Sequence, residues 1–232
     1  MAVVGIIPAA GSGERLGGSG PKAFVVCGGR PLLEWSLEVL DAVCDRVVVA
    51  VPAGTESAGG ALGPEAGRDW VEGGPSRSAS VRAALAGAPE ATVVVVQDAA
   101  RPLLTRELVE RCVEAVAEGV DGAIAAAPMT DTVKQADANG RILRTLDRST
   151  LWSIQTPQAF DAGALRSALA VDEEMLAAAT DDASLVEAAG GSVRVVEASP
   201  ENIKVTTPAD LERAEALLRA RGPLPSGQRP SC

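Results

Sequence analysis

Glycines, one arginine and one lysine crowd a short early segment. It reads Pro8-Ala9-Ala10-Gly11-Ser12-Gly13-Glu14-Arg15 and then Gly17-Gly18-Ser19-Gly20-Pro21-Lys22. Glycines placed after an apolar run let the backbone approach a phosphate chain, whose oxygens its N–H groups can coordinate. Arg15 and Lys22 add two positive charges to the same loop. The spacing is not G-x-G-x-x-G, because position 16 is Leu. Nor is it a Walker A loop, since Lys22 stands between Pro21 and Ala23. A plain flexible turn competes for any glycine-rich loop taken alone, and the two cations weigh against it.

Three further clusters could do chemistry. An apolar run ends in Gln97-Asp98-Ala99-Ala100-Arg101-Pro102. A carboxylate at the carboxyl end of a central strand sits where an oxygen-ligated Mg²⁺ could bridge triphosphate oxygens. A simple Asp98–Arg101 turn interaction is the competing reading. Glu72-Gly73-Gly74-Pro75-Ser76-Arg77-Ser78-Ala79-Ser80 is a glycine turn leading into a helix. Its backbone and Ser80 could read a base edge, or merely cap the helix. Asn202-Ile203-Lys204-Val205-Thr206 sets a lysine beside a short strand near Glu201, which alone would pass for a surface lysine.

What is missing narrows the chemistry further. The chain has no histidine, which removes Ser-His-Asp and Cys-His catalysis, histidine proton shuttles and histidine metal sites. The 21 basic residues include only three lysines, Lys22, Lys134 and Lys204. Lysine could thus mark places where a compact point charge matters, although biased codon usage gives the same ratio. A net charge of −10 argues against nucleic-acid or anionic-membrane partners. Phe24, Phe160, Trp35, Trp70 and Trp152 are the only aromatics, too few for stacking single-stranded nucleic acid. Cys27, Cys44, Cys112 and Cys232 form no C-x-x-C pair and read as reduced thiols of a cytoplasmic protein. No apolar stretch approaches a membrane span, and no signal peptide is expected.

These residues need a scaffold, and the apolar pattern supplies one. With 47% hydrophobic residues over 232 positions, the chain can bury the core of one large domain. Val3 to Pro8, Arg46 to Pro52 and Thr92 to Gln97 read as buried strands, with Ala123 to Ala127 and Ser192 to Glu197 as weaker ones. Leu32 to Val43, Ser78 to Ala86, Thr105 to Glu118 and Asp181 to Ala189 carry helical spacing between them. A last helix follows Thr207 as N-cap, with Pro208 in its first position. Such alternation predicts a single-domain α/β fold over residues 1–221, with a mostly parallel, Rossmann-like sheet. One stretch breaks the rhythm. Thr132 to Gln135 and Arg141 to Leu146 flank Asn139-Gly140, a strong hairpin-turn signal, and predict a protruding β-hairpin arm over about residues 131–149. Residues 222–232 are rich in Pro, Gly and Ser and predict a disordered tail.

Taken together, these pieces resemble the 2-C-methyl-D-erythritol 4-phosphate cytidylyltransferase family of the non-mevalonate isoprenoid pathway. From Val3 to about Leu218 the chain carries PAAGSGERL, GPK, QDAARP, APMTDTVK, LDRSTLW, QTPQAF, TDDAS and ENIKVTTP in the family's order. The resemblance implies the nucleotidyltransferase type of fold and a CTP-dependent, Mg²⁺-assisted transfer. Arg15 and Lys22 would stabilise the triphosphate and the transition state. Ala9, Ala10, Gly11, Ser12, Gly13, Gly74 and Ser80 would hold CTP, and Asp98 would bind Mg²⁺. Arg101, Arg148, Thr156, Thr180 and Lys204 would hold the polyol phosphate, with Arg148 reaching across a homodimer from the hairpin arm. The family often has aspartate where this chain has Glu201, a possible second metal ligand one methylene longer.

A phosphomonoester is mostly deprotonated at neutral pH, so it can attack without a general base, in keeping with the absence of histidine. Two other readings stay open at this stage. A cytidylyltransferase acting on ribitol 5-phosphate would share the fold and most phosphate contacts. A non-catalytic nucleotide-binding protein would share the fold but would be expected to lose the charged groups that act only in the transition state.

Overall fold

A computed structural model describes residues 1–11, 21–55 and 68–222. Among the described residues, a seven-stranded sheet is built from β1 (Val3–Pro8), β4 (Arg46–Val51), β5 (Arg68–Glu72), β6 (Val93–Val96), β7 (Gly122–Pro128), β10 (Trp152–Asp161) and β11 (Val193–Glu197), in the order β11-β7-β10-β6-β1-β4-β5. Six of these strands run parallel, and β10 alone is reversed between β6 and β7.

Alternation along the strands assigns each side chain to one face. On β1, Ile7 enters a core shared with Leu37 of α1 (Leu32–Asp41) and Val109 of α3 (Arg106–Ala117). Its neighbour Ile6 enters the opposite core, with Val81 of α2 (Arg77–Ala86), Leu165 of α4 (Ala162–Ala168), Leu176 of α5 (Glu173–Ala178) and Val186 of α6 (Asp182–Ala188). Burial on both faces is why the β1, β4 and β6 segments read as continuous Val and Ile runs. A third cluster joins Cys27 and Leu32 to Ala214 and Leu218 of α7 (Pro208–Arg221). It places α7 against the small hairpin β2 (Val26–Cys27) and β3 (Arg30–Pro31). Thr207 and Asp210 close a capping box at the start of α7, with proline in the first turn.

The structure departs from the sequence reading at several elements. β5 is not anticipated, because Arg68, Asp69 and Glu72 surround its two apolar residues. It is an edge strand, where charge is tolerated and discourages pairing with other chains. β10 escapes the pattern because Gln155, Thr156, Pro157 and Gln158 interrupt it, and its register shifts between Ile154 and Gln158. α4 and α5 are also unanticipated, being of seven and six residues. α1 ends two residues before Val43, and α2 starts one residue before Ser78.

The expected arm is present as the hairpin β8 (Lys134–Ala136) and β9 (Ile142–Thr145). The Asp137 carboxylate accepts the N–H groups of Asn139 and Arg141, and Gly140 takes the positive φ that this turn requires. Ile142 and Leu143 on the arm and Ile154 beside it are exposed. Of the tail expected over 222–232, Gly222 is the C-cap of α7 and 223–232 lie outside the described residues.

Candidate active site

The carboxyl ends of β1 and β6 open onto a cleft of about 520 Å³. Ala9, Ala10 and Gly11 form one wall and Gly74, Pro75, Ser76, Arg77 and Ser80 another. Asp98, Ala99 and Ala100 line it from β6, with Lys22, Lys204 and Thr206 closing round them. Ligands bind parallel sheets at this edge because the connecting loops diverge there and leave a crevice.

Local backbone chemistry holds each wall. The Ala9 N–H donates to Ala50 O at 2.7 Å, and the Lys22 N–H donates to Gly11 O at 3.2 Å. The second bond ties together the described residues on either side of 12–20. Across the cleft, the Gly73 N–H donates to Val51 O at 2.8 Å. A Cβ on Gly73 would lie 2.7 Å from Ala10 Cβ, and one on Gly74 would lie 2.5 Å from Ala79 Cβ. Glycine at 73 lets the two walls approach, and glycine at 74 lets the turn close onto the first turn of α2. Ser76 caps α2 by accepting the Ala79 N–H, and the buried Ser80 hydroxyl donates to Ser76 O at 2.9 Å. The oxygen lone pairs of Ser80 remain for a ligand donor.

Asp98 is the electrostatic centre. Its Oδ1 accepts from Arg77 Nε at 3.1 Å, and its Oδ2 lies 2.8 Å from Lys204 Nζ and 3.7 Å from Arg101 Nε. Burial alone would raise its pKa, but Arg77, Lys204 and Arg101 outweigh burial and hold the carboxyl well below the usual range. Arg77 also reaches Asp182, whose Oδ2 is 2.5 Å from Nη1 and whose side chain is fully buried. Burial would lower the Arg77 pKa, and the two aspartates more than offset it, so the net shift is upward.

A second network fixes the Lys204 segment. The Asp98 N–H donates to Thr156 Oγ1 at 3.0 Å, and Asn202 Nδ2 donates to Gln155 Oε1 and to Thr156 O. Arg101 Nη1 donates to Asn202 O at 2.7 Å, and the Val205 N–H donates to Ala100 O at 2.8 Å. The irregular part of β10 thus supports both the Asp98 turn and the segment carrying Lys204.

Of the residues singled out from sequence, Ala9, Ala10, Gly11, Lys22, Gly74, Ser80, Asp98 and Lys204 meet in this cleft. Arg101 and Thr156 are buried behind it, in contact with Asp98. Thr180 is next to Asp181, the N-cap of α6, and does not line the cleft of its own chain. Arg148 lies at the base of the arm, exposed, with Nη1 donating to Thr130 O at 2.6 Å. Glu201 is exposed and is not among the described cleft-lining residues. Ser12, Gly13 and Arg15 lie outside the described residues. Sequence reasoning gives no role to Arg77, Asp182 or Asn202. The only signals are an arginine at the start of a capped helix and a doubled aspartate in TDDAS.

The donor set suits Mg²⁺, which commonly takes one or two carboxylates and completes its shell with water and substrate phosphates. Asp98 offers Oδ2 to a cation already, since the Lys204 ammonium sits on it. Among the described residues no group of three or more acidic, histidine or cysteine side chains forms a self-contained metal cage.

Comparison with known proteins agrees with this geometry. Residues 3–220 match the profile of the 2-C-methyl-D-erythritol 4-phosphate cytidylyltransferase family. The enzyme of that name from Nocardia farcinica is 46% identical over 96% of both chains. Its counterpart from a Synechococcus species is 44% identical, over 93% of this chain and 99% of its own. The crystal structure of the Thermus thermophilus enzyme superposes with a TM-score of 0.78 at 39% identity, covering 94% of this chain and 100% of that one. With a parallel sheet opening on a cleft that gathers Lys22, Asp98 and Lys204, and with this similarity along nearly its whole length, the chain belongs to the 2-C-methyl-D-erythritol 4-phosphate cytidylyltransferase family.

Proposed function

We propose that the cleft transfers the cytidylyl group of CTP to the phosphate of 2-C-methyl-D-erythritol 4-phosphate. The products are 4-diphosphocytidyl-2-C-methyl-D-erythritol and pyrophosphate. The observation that carries this reading is the meeting of Lys22, Asp98 and Lys204 beside the Gly74–Ser80 turn in one cleft.

The residues divide the work by position. Ala9, Ala10 and Gly11 present backbone to the triphosphate, while Gly74 and Ser80 lie where the base is read. Lys22 neutralises charge as it builds on the transferring phosphoryl group, with Arg15 of the same glycine-rich segment as its partner in that role. Lys204 acts on the side of the polyol phosphate, with Arg101 and Thr156 buried behind Asp98 in support, and Thr180, off the cleft, takes this role from the family resemblance alone. That phosphate is already anionic, so orientation and charge neutralisation replace a general base. Mg²⁺ held by Asp98 would supply Lewis-acid neutralisation of the phosphate oxygens. Glu201 is the weaker candidate for a second carboxylate contact, being exposed.

We read the functional unit as a homodimer in which Arg148 serves the partner's polyol phosphate. Support comes from the arm, which exposes Ile142 and Leu143 although a lone two-stranded ribbon is marginal in water. The compartment is read as cytoplasmic. Cys27, Cys44 and Cys112 are buried and free, and burial pushes the Cys112 thiol up to about 12. No helix among the described residues is long and apolar enough to cross a membrane.

The test is pyrophosphate release from CTP with 2-C-methyl-D-erythritol 4-phosphate, run beside ribitol 5-phosphate. Turnover should prefer the methylerythritol substrate, stop in EDTA and return with Mg²⁺. Equal turnover of ribitol 5-phosphate would reassign the acceptor, and CTP binding without any turnover would make the protein a non-catalytic binder.

A further inference from the structure

The two oxygens of Asp98 are held in different ways. Oδ1 accepts from Arg77 Nε, and Arg77 is itself anchored through Nη1 to the fully buried Asp182. Freeing Oδ1 would take from Arg77 one of its two carboxylate partners and leave its Nε donor unmet beside the buried Asp182, which is costly. Oδ2 faces Lys204 Nζ at 2.8 Å, and the Lys204 side chain is 43% exposed against 27% for Arg77. An ammonium on a flexible four-carbon stem can leave and be rehydrated at little cost. Arg101, the third cation, stands off at 3.7 Å and is committed through Nη1 to the Asn202 carbonyl.

We infer that Oδ2 of Asp98 is an exchange position, occupied by the Lys204 ammonium in the ligand-free protein and surrendered when a divalent cation arrives. This rests on the reading of Asp98 as the metal ligand. Lys204 then has two stations, Asp98 before loading and the acceptor phosphate afterwards. One cation cannot serve both at once, so the free protein binds the metal weakly. Loading with nucleotide phosphates displaces Lys204 and frees it for the second anion. Arg77 and Asp182 are the positioning residues that keep Oδ1 out of this exchange.

The test is Mn²⁺ binding, followed by calorimetry and paramagnetic relaxation, on full-length protein with and without a non-hydrolysable CTP analogue. Lys204→Met should tighten binding of Mn²⁺ alone about tenfold or more by removing the competing charge. Lys134→Met removes the same formal charge from the exposed arm and should leave Mn²⁺ affinity unchanged. Because the chain has only three lysines, labelled lysine side chains give a second readout. The Lys204 signal should shift on adding Mg²⁺ alone, and should not shift in Asp98→Asn.

Unchanged or weaker Mn²⁺ binding in Lys204→Met would overturn the exchange, as would equal tightening in Lys134→Met. A different result would strike the parent reading. If Asp98→Asn bound Mn²⁺ with the analogue as well as the unaltered protein does, Asp98 would not be the metal ligand at all.

Discussion

Arg77 Nη1 lies 2.5 Å from Oδ2 of Asp182, 105 positions away in sequence, and the same guanidinium reaches Asp98 through Nε. One side chain at the start of α2 therefore ties the end of β6 to the start of α6. Asp182 is fully buried, and its second oxygen has no hydrogen-bond partner among the described residues. Its charge is kept for Arg77.

Asp182→Asn should therefore be destabilising although nearly isosteric. Arg77 keeps Asp98 as a partner but loses the shorter of its two carboxylate contacts, and removing one partner of a buried hydrogen-bonded group costs about 1–3 kcal/mol. Urea unfolding of the purified variant measures this directly. A loss below about 1 kcal/mol, the range of exposed pairs, would show that the pair does not anchor Arg77.

The two cleft lysines should separate kinetically. Lys22→Ala should lower kcat by about 10²–10³-fold, since its charge acts on negative charge developing in the transition state. Lys204→Ala should act through the acceptor phosphate and should not weaken CTP binding, since the Lys204 ammonium occupies Asp98 Oδ2 in competition with the metal. Calorimetric titration with CTP decides the matter, and an equal loss of CTP affinity in both variants would overturn this division of the cleft.

Acid should reveal the Asp98 cluster. The folded-state pKa of Asp98 is lowered, so its favourable contribution is complete above the ordinary carboxylate value of about 3.9 and is lost as pH falls toward the folded value. The stability difference between the unaltered protein and Asp98→Asn should be flat from about pH 5 upward and shrink below about pH 4. Melting curves across the acid range to neutrality would show it. A difference that shrank instead just below neutral pH would point to some other titrating group, and the chain has no histidine to supply one.

Subunit mixing tests the arm. Arg148→Ala and Lys204→Ala should each be nearly inactive as homodimers. A mixed dimer would carry both lesions at one site and neither at the other. Random exchange makes about half the dimers mixed, so roughly a quarter of unaltered activity should return, at the rate of subunit exchange. If verified mixed dimers stay inactive, Arg148 does not serve the partner's site.

The sequence by itself determined the parts that depend on local pattern. Continuous Val and Ile runs reveal strands buried on both faces, and those of β1, β4 and β6 stand out for that reason. The Thr207 cap with Pro208 after it, the Asn139-Gly140 turn and the glycines before α2 are legible because short-range hydrogen bonding and steric fit dictate those residue types. Resemblance to a known family added roles for Lys22, Asp98 and Lys204, which the fold then brought to one edge of the sheet. Tertiary structure alone decided the rest. β10 is polar at Gln155, Thr156 and Gln158, and a polar run reads as a loop unless its partners are known. Those partners are Asn202, Asp98 and Asp181, each distant in sequence. Likewise nothing local marks Asp182 as buried or Arg77 as its counter-ion. Periodicity records which residues avoid water, whereas a buried charge is tolerated only because packing delivers an opposite one, and that delivery depends on the whole fold.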